Sequence, residues 1–350
     1  TPDRPDAVAS PTEPVEADTR TDGGGGRAST DGGSSVVRRS TSGEDPDGWP
    51  VASPRPTDSI EHVWIGEGYP MGAAKPTVEA QRRRLDAKPS GDIGVAVVVN
   101  DPEMRAETAV RDRYGLRELV QFDVGTHEAL SQEELASLLA EDRDFVHFVG
   151  HVDDRGLQCA DGYLDAAALD DVGTRAFVLN ACESYTQGVR LVEAGAIAGV
   201  VTLAEVANLP ATKVGRMLAR LLNAGFSLGA ALDVLSTQTI TGRQYSVVGA
   251  PGLTLTESRG STPILADVTR TDDNRFRLSL HGYATTPMGM GAVYTPNIAA
   301  NERQYLNSGH VAEFAVTAGQ LREFLDLGWF PIRVDGDLRW SDELAVEDVD

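Results

Sequence analysis

The run Asp144-Phe-Val-His-Phe-Val-Gly-His151-Val152, a Gly- and Asp-rich connection, and then Arg175-Ala-Phe-Val-Leu-Asn-Ala-Cys182-Glu-Ser184 decide the fold of this chain. Each half is a short apolar stretch of Val, Phe and Leu, the pattern of a strand covered on both faces of a parallel sheet. Each also ends in a reactive side chain, His151 in the first and Cys182 in the second. Parallel neighbours lie about 4.8 Å apart, so matching C-terminal ends set a thiol and an imidazole across the crevice where open α/β sheets bind ligands. That is the geometry of a nucleophile and its acid/base partner.

Outward from this pair the pattern is β-α-β-α, which predicts a mainly parallel six-stranded sheet with helices on both faces. Ile93 to Asn100 and Leu119 to Val124 precede it; Ala196 to Val206 and Ser246 to Leu255 follow. Asp101-Pro102-Glu103 has the composition of a helix N-cap and first turn. Ser131 and Glu134 form a capping box for a helix burying Leu135, Leu138 and Leu139. Thr186 to Ala194 reads as a helix ended by Gly195. Val214, Met217, Leu218, Leu221 and Leu222 mark a core-facing helix, and Ser227 caps the next.

Four parts follow from this division. Residues 1–57 are Pro, Gly, Ser, Thr and acids, too polar to offset ordering entropy, so a disordered tail is expected. Residues 58–91 supply a flanking strand at Glu61 to Ile65 and a helix at Pro76 to Ala87 with Arg82, Arg83 and Arg84 outside. Residues 92–258 form the sheet domain. Residues 259–350 make a small α+β module: a hairpin of Ile264–Val268 with Phe276–Leu280, a helix from Thr317 to Leu327, and a last strand at Phe330 to Val334.

Composition bounds the function. The 350 residues carry a formal charge of -22, and only Lys75, Lys88 and Lys213 among 31 basic residues are lysines. An acidic, Lys-poor surface suits a halophilic, cytoplasmic protein, because self-repulsion is screened in concentrated salt. It argues against nucleic acid or an anionic membrane as partner, and the longest apolar runs fall far short of the roughly 18 residues of a membrane span. No secretory signal is legible. Cys159 and Cys182 make no disulfide framework, no zinc-ligand spacing occurs, and no cofactor is implied.

Phe148-Val149-Gly150-His151, Val178 through Ser184, Gly195-Ala196, Asn223 through Ser227 and Val248-Gly249-Ala250-Pro251 together resemble the CHAT family, the caspase-like branch related to separase-type peptidases. The resemblance covers roughly residues 92–255. It implies a caspase-hemoglobinase fold and a cysteine endopeptidase acting on a protein or peptide substrate; the long polar tail beside the His151 and Cys182 pair suggests an enzyme kept quiet until a protein partner or an upstream segment releases it. Cys182 is then the nucleophile, His151 the proton donor, and the backbone N–H groups of Cys182 and Val152 the oxyanion hole. The chain departs from the family's Gly-His-Gly at Val152, whose branched side chain flanks that donor, and at Ala250, often Asp. Acids at the first strand's end and two places before the nucleophile select a basic residue in related enzymes; these places are Asp101 and Asn180, although Asp101 equally suits a helix N-cap.

Other groups have plainer readings. His147 lies four residues, about 13 Å, from His151 along a strand, so the two share no ion and His147 is a core histidine. Cys159 precedes the nucleophile's place and is structural. The acids from Asp153 to Asp171 are a solvated surface rather than a calcium site. Trp64, Trp329 and Trp340 are core or interface residues. The rival function is a CHAT-type interaction module without catalysis; a nucleotide-binding domain fits less well, because no Gly-x-Gly-x-x-Gly turn and no phosphate-binding Lys-Ser/Thr motif follows any strand.

Overall fold

The computed structural model describes residues 51–52, 62–66, 68–88, 91–101, 110–114, 122–203, 208–238, 244–258, 262–271, 275–299 and 301–349. In chain order these give α1 (Val78–Asp86), β1 (Ile93–Val99), β2 (Phe122–Glu128), α2 (Gln132–Ala140) and β3 (Phe145–Val149). A short ribbon follows: β4 (Val152–Asp153), β5 (Gly156–Cys159) and β6 (Gly162–Leu164). Then come β7 (Ala176–Asn180), α3 (Tyr185–Ala194), β8 (Ala198–Thr202), α4 (Asn208–Asn223), α5 (Leu228–Ser236) and β9 (Tyr245–Gly249). The C-terminal part has β10 (Ile264–Arg270), β11 (Phe276–Gly282), β12 (Gly309–Val316), α6 (Ala318–Leu325), β13 (Pro331–Val334) and β14 (Asp337–Trp340).

Six strands form the central sheet in the order β9-β8-β7-β3-β1-β2. Only the β8–β9 pair is antiparallel. The inner strands are buried along their length except at the partly exposed Gly94, and helices cover both faces, which is why they lack polar alternation. On one face the Phe177 ring lies over Gly199, where an added Cβ would come within 2.0 Å of it. Gly188 of α3 comes down on that same side, beside Val201 and Phe177. On the opposite face Gly215 of α4 lies over Asn180 and His147. Glycines at both helix contacts let the backbones close on the sheet.

Local chemistry fixes the helices. Ser131 and Glu134 make the reciprocal capping box on α2, and Leu135, Leu138 and Leu139 are buried. Ser227 accepts from the Ala230 N–H at the start of α5. Gly195 closes α3 at φ 146°. Arg83 is not an outward charge: its guanidinium donates to the carbonyl of Val192 in the last turn of α3 and to that of Ala196 just beyond it, at 2.6 and 3.0 Å.

Several boundaries differ from the sequence expectation. The second strand is Phe122–Glu128 rather than Leu119–Val124. The expected strand at Glu61 to Ile65 is, among the described residues, a single bridge between Val63 and Ala74. Strand β9 stops at Gly249, whose φ of 84° turns the chain where a Cβ would lie 2.3 Å from the Ile197 carbonyl. Of the tail expected over residues 1–57, only Val51–Ala52 are described, and they form a short strand paired in parallel with Tyr69–Pro70 rather than a disordered segment. Of the helix expected from Pro102 to about Tyr114, residues 102–109 lie outside the described residues and 110–113 form a 3-10 turn.

The C-terminal sheet runs β12-β11-β10-β13-β14 and carries its own apolar cluster with α6. Strand β11 alternates buried and more exposed residues, as a sheet with one covered face requires. Strand β14 was not expected, although Asp335-Gly336, both at positive φ, is a hairpin signal. Trp340 packs into the main core, stacks on Trp329 at 4.8 Å, and lies under Arg220 of α4, which is also paired with Glu343 at 2.6 Å. No helix among the described residues is long and apolar enough to cross a membrane.

Candidate functional site

The site is built by strand register. Val99, Val149 and Asn180 form one row across β1, β3 and β7. Two residues beyond each lie Asp101, His151 and Cys182, so a carboxylate, an imidazole and a thiol leave three adjacent parallel strands at the same edge, with the imidazole in the middle. The contact on the β1 side is direct: His151 Nε2 lies 3.0 Å from Asp101 Oδ2, with the imidazole 57% exposed and the carboxylate 8%. Asp101 thus touches the imidazole of His151, a contact that neither the pocket nor the cap expectation contained. Counting two residues past each strand end would have found it.

Cys182 is partly exposed and not in a disulfide. It sits in the turn between β7 and α3, and Glu183 after it adopts φ 47°, a left-handed conformation that costs a non-glycine residue roughly 1 kcal/mol or more. A buried bracket holds that turn. Ser184 N–H donates to Thr202 Oγ1 at 3.1 Å, and Thr202 N–H donates back to Ser184 Oγ at 3.0 Å. The Ser184 hydroxyl reaches the Leu179 carbonyl at 3.1 Å, and the Thr202 hydroxyl reaches that of Ala181. Neither residue has any exposed surface. Sequence reading passed over both because neither carries chemistry of its own.

Val152 opens the ribbon β4-β5-β6, which replaces the expected loop. Gln158 N–H donates to the His151 carbonyl at 2.9 Å, so Val152 and Leu157 form the non-hydrogen-bonded couple of the β4–β5 pair. The His151–Val152 peptide is trans and planar, so fixing its C=O toward β5 turns the Val152 N–H the other way. The valine side chain is buried in the main core. The branched group flanking the donor therefore points inward.

Asn180 belongs to the core rather than to an open pocket wall: it is 1% exposed, and its Oδ1 accepts from the Tyr245 hydroxyl at 2.7 Å. His147 is fully buried with Tyr114 Oη 3.0 Å from Nδ1, and burial pushes its imidazole down to about 4. Cys159 is buried, its thiol contacts the Leu157 carbonyl at 3.5 Å, and desolvation pushes it up to about 11. An exposed ion pair joins Asp153 to Arg155 beside the site, and Arg155 lies over the Tyr163 ring at 3.8 Å. Among the described residues no cluster of three His, Cys, Asp or Glu side chains could hold a metal ion.

No family model and no curated protein matches the chain. Similar solved structures include the following two. One is the complex of the pro- and mature domains of RgpB from Porphyromonas gingivalis, at 8% identity and TM-score 0.41, with 68% of this chain and 66% of that one covered. The other is the Arg-specific cysteine proteinase gingipain R, at 9% identity and TM-score 0.40, with 69% and 66% covered. The chain thus spans slightly less than two thirds of each neighbour's length.

Proposed function

We propose that the chain is a caspase-like cysteine endopeptidase of the CHAT type, in which Cys182 attacks a peptide carbonyl, His151 moves the proton and Asp101 orients His151. The observation that carries this reading is the row of Asp101, His151 and Cys182 at one edge of three adjacent parallel strands, with the 3.0 Å contact between the first two.

With Nε2 turned to Asp101, Nδ1 is the ring nitrogen left for the reacting groups. The thiol proton passes to Nδ1 as sulfur bonds to the carbonyl carbon, and the developing oxyanion takes hydrogen bonds from the Val152 and Cys182 N–H groups. The C–N bond then breaks and the proton on Nδ1 leaves with the amine. Water hydrolyses the thioester and restores the thiol. No cofactor is required by these steps. The substrate is a protein or peptide, a protein partner regulates access, and the acidic surface fits a cytoplasmic, salt-rich setting.

Incubation with a diverse peptide library, in low and molar salt, tests this reading by mass spectrometry. Cleavage is expected from the wild type and none from Cys182→Ala. Cleavage that persists in Cys182→Ala overturns the assignment; no cleavage by either protein leaves a non-catalytic interaction domain with this fold.

A further inference from the structure

We infer that Asn100 is a positioning residue of this site, holding the His151–Val152 peptide so that the Val152 N–H faces a developing oxyanion. The inference rests on the peptidase reading above and adds a residue to it. Asn100 is 7% exposed and stands between the last residue of β1 and Asp101.

Its amide is fully engaged. Nδ2 donates to the Gln158 carbonyl at 2.9 Å and to that of Leu130 at 3.4 Å, while Oδ1 accepts the Leu130 N–H at 2.8 Å. The Asn100 backbone N–H donates to the Val149 carbonyl at 3.0 Å. Gln158, gripped through its C=O by Asn100, donates its own N–H to the His151 carbonyl at 2.9 Å. The segment from Val149 to Val152 is thereby held at its start by the Asn100 backbone and at its end by the Asn100 side chain acting through Gln158.

The residue type follows from the partners. Two carbonyls and one N–H converge on one side chain, and only a planar amide offers both donors and an acceptor at that length. Close packing agrees: a Cβ at Gly150 would lie 3.6 Å from Asn100 Cβ and 3.1 Å from the Phe148 ring. Consecutive residues therefore act on the same histidine, Asp101 on its ring and Asn100 on its backbone. Because the C=O of His151 and the N–H of Val152 share one rigid plane, loosening Gln158 frees the donor to swing. An aligned oxyanion donor is worth roughly 10²–10³ in kcat.

The test compares wild type, Asn100→Ala and Asn100→Asp, the last keeping the acceptor for Leu130 but offering Gln158 no donor. Three quantities are read: kcat and KM on a cleaved peptide, the alkylation rate of Cys182 by iodoacetamide, and the melting temperature. Alkylation needs the sulfur but no oxyanion hole. Both variants are expected to lose roughly 10- to 100-fold in kcat, with KM changed less than about threefold and alkylation within about twofold of wild type. Unchanged kcat in either folded variant overturns the inference. So does a parallel fall of kcat and alkylation, which marks general loss of structure. Should Asn100→Ala fail to fold, Asn100→Asp decides by the same readings. A wild type that cleaves nothing defeats the peptidase reading itself, a result visible before any variant is made.

Discussion

At the residue scale the decisive contact for the proposed peptidase is between Asp101 and His151, because a carboxylate on one ring nitrogen would fix which nitrogen is left for a substrate. Asp101→Asn keeps the volume but changes the tautomer that the partner favours. It should lower kcat by about 10²-fold or more with little change in KM, read by steady-state kinetics on any cleaved peptide. Equal kcat would mean that the contact only packs the strand ends. Glu183 offers a separate test through stability. Its φ of 47° suits glycine and penalises branched side chains. Glu183→Gly should be neutral or stabilising by up to about 1 kcal/mol in denaturant unfolding, and Glu183→Val destabilising by more than about 1 kcal/mol. A valine variant as stable as wild type would show that the turn relaxes and that Cys182 is not held by it.

At the element scale, α3 follows β7 through a turn whose polar groups are met by Thr202 of β8. Thr202→Val keeps the shape yet leaves the Ser184 N–H and the Ala181 carbonyl without their partner. Unfolding in urea should show a loss of about 2–4 kcal/mol, with peptide cleavage falling as well. Strand β3 carries a second test. Burial depresses the His147 imidazole to about 4, below its unfolded value of 6.5, so the unfolded chain binds the extra proton between these pH values. Stability should therefore be lost as pH falls from about 6.5 to 4, by on the order of 3 kcal/mol, and His147→Gln should flatten that slope in urea titrations. An unchanged slope would assign the pH dependence to other groups.

Across the whole molecule, what the sequence made legible was whatever repeats a local rule. Continuous apolar runs marked the inner strands, and Ser131, Ser227 and Gly195 marked helix ends, because capping and two-sided burial are written within a few residues. His151 and Cys182 were legible for the same reason, each closing such a run. Asp101, Asn100 and the Ser184–Thr202 bracket were not, because their roles exist only after separate strands align in register. The ribbon after His151 was hidden by its shortness: two to four residues per strand leave little alternation to read.

The charge of the molecule gives a prediction at the same scale. With a formal net charge of -22, repulsion opposes the compact state at low ionic strength. The melting temperature should rise by several degrees between about 0.1 M and 2 M KCl as the screening length falls from about 10 Å to a few Å. A melting temperature that falls over that range would contradict the halophilic reading.

The central claim is that a peptide carbonyl can be attacked by Cys182 under the control of His151 and Asp101. Mass-spectrometric mapping of a peptidyl acyloxymethyl ketone, which reacts irreversibly with a cysteine peptidase's nucleophile, tests it most directly. A single adduct is expected on Cys182 and none on Cys159, with labelling abolished in His151→Ala and slowed in Asp101→Asn. An adduct on Cys159, or equal labelling of Cys182 with and without the imidazole, would contradict it.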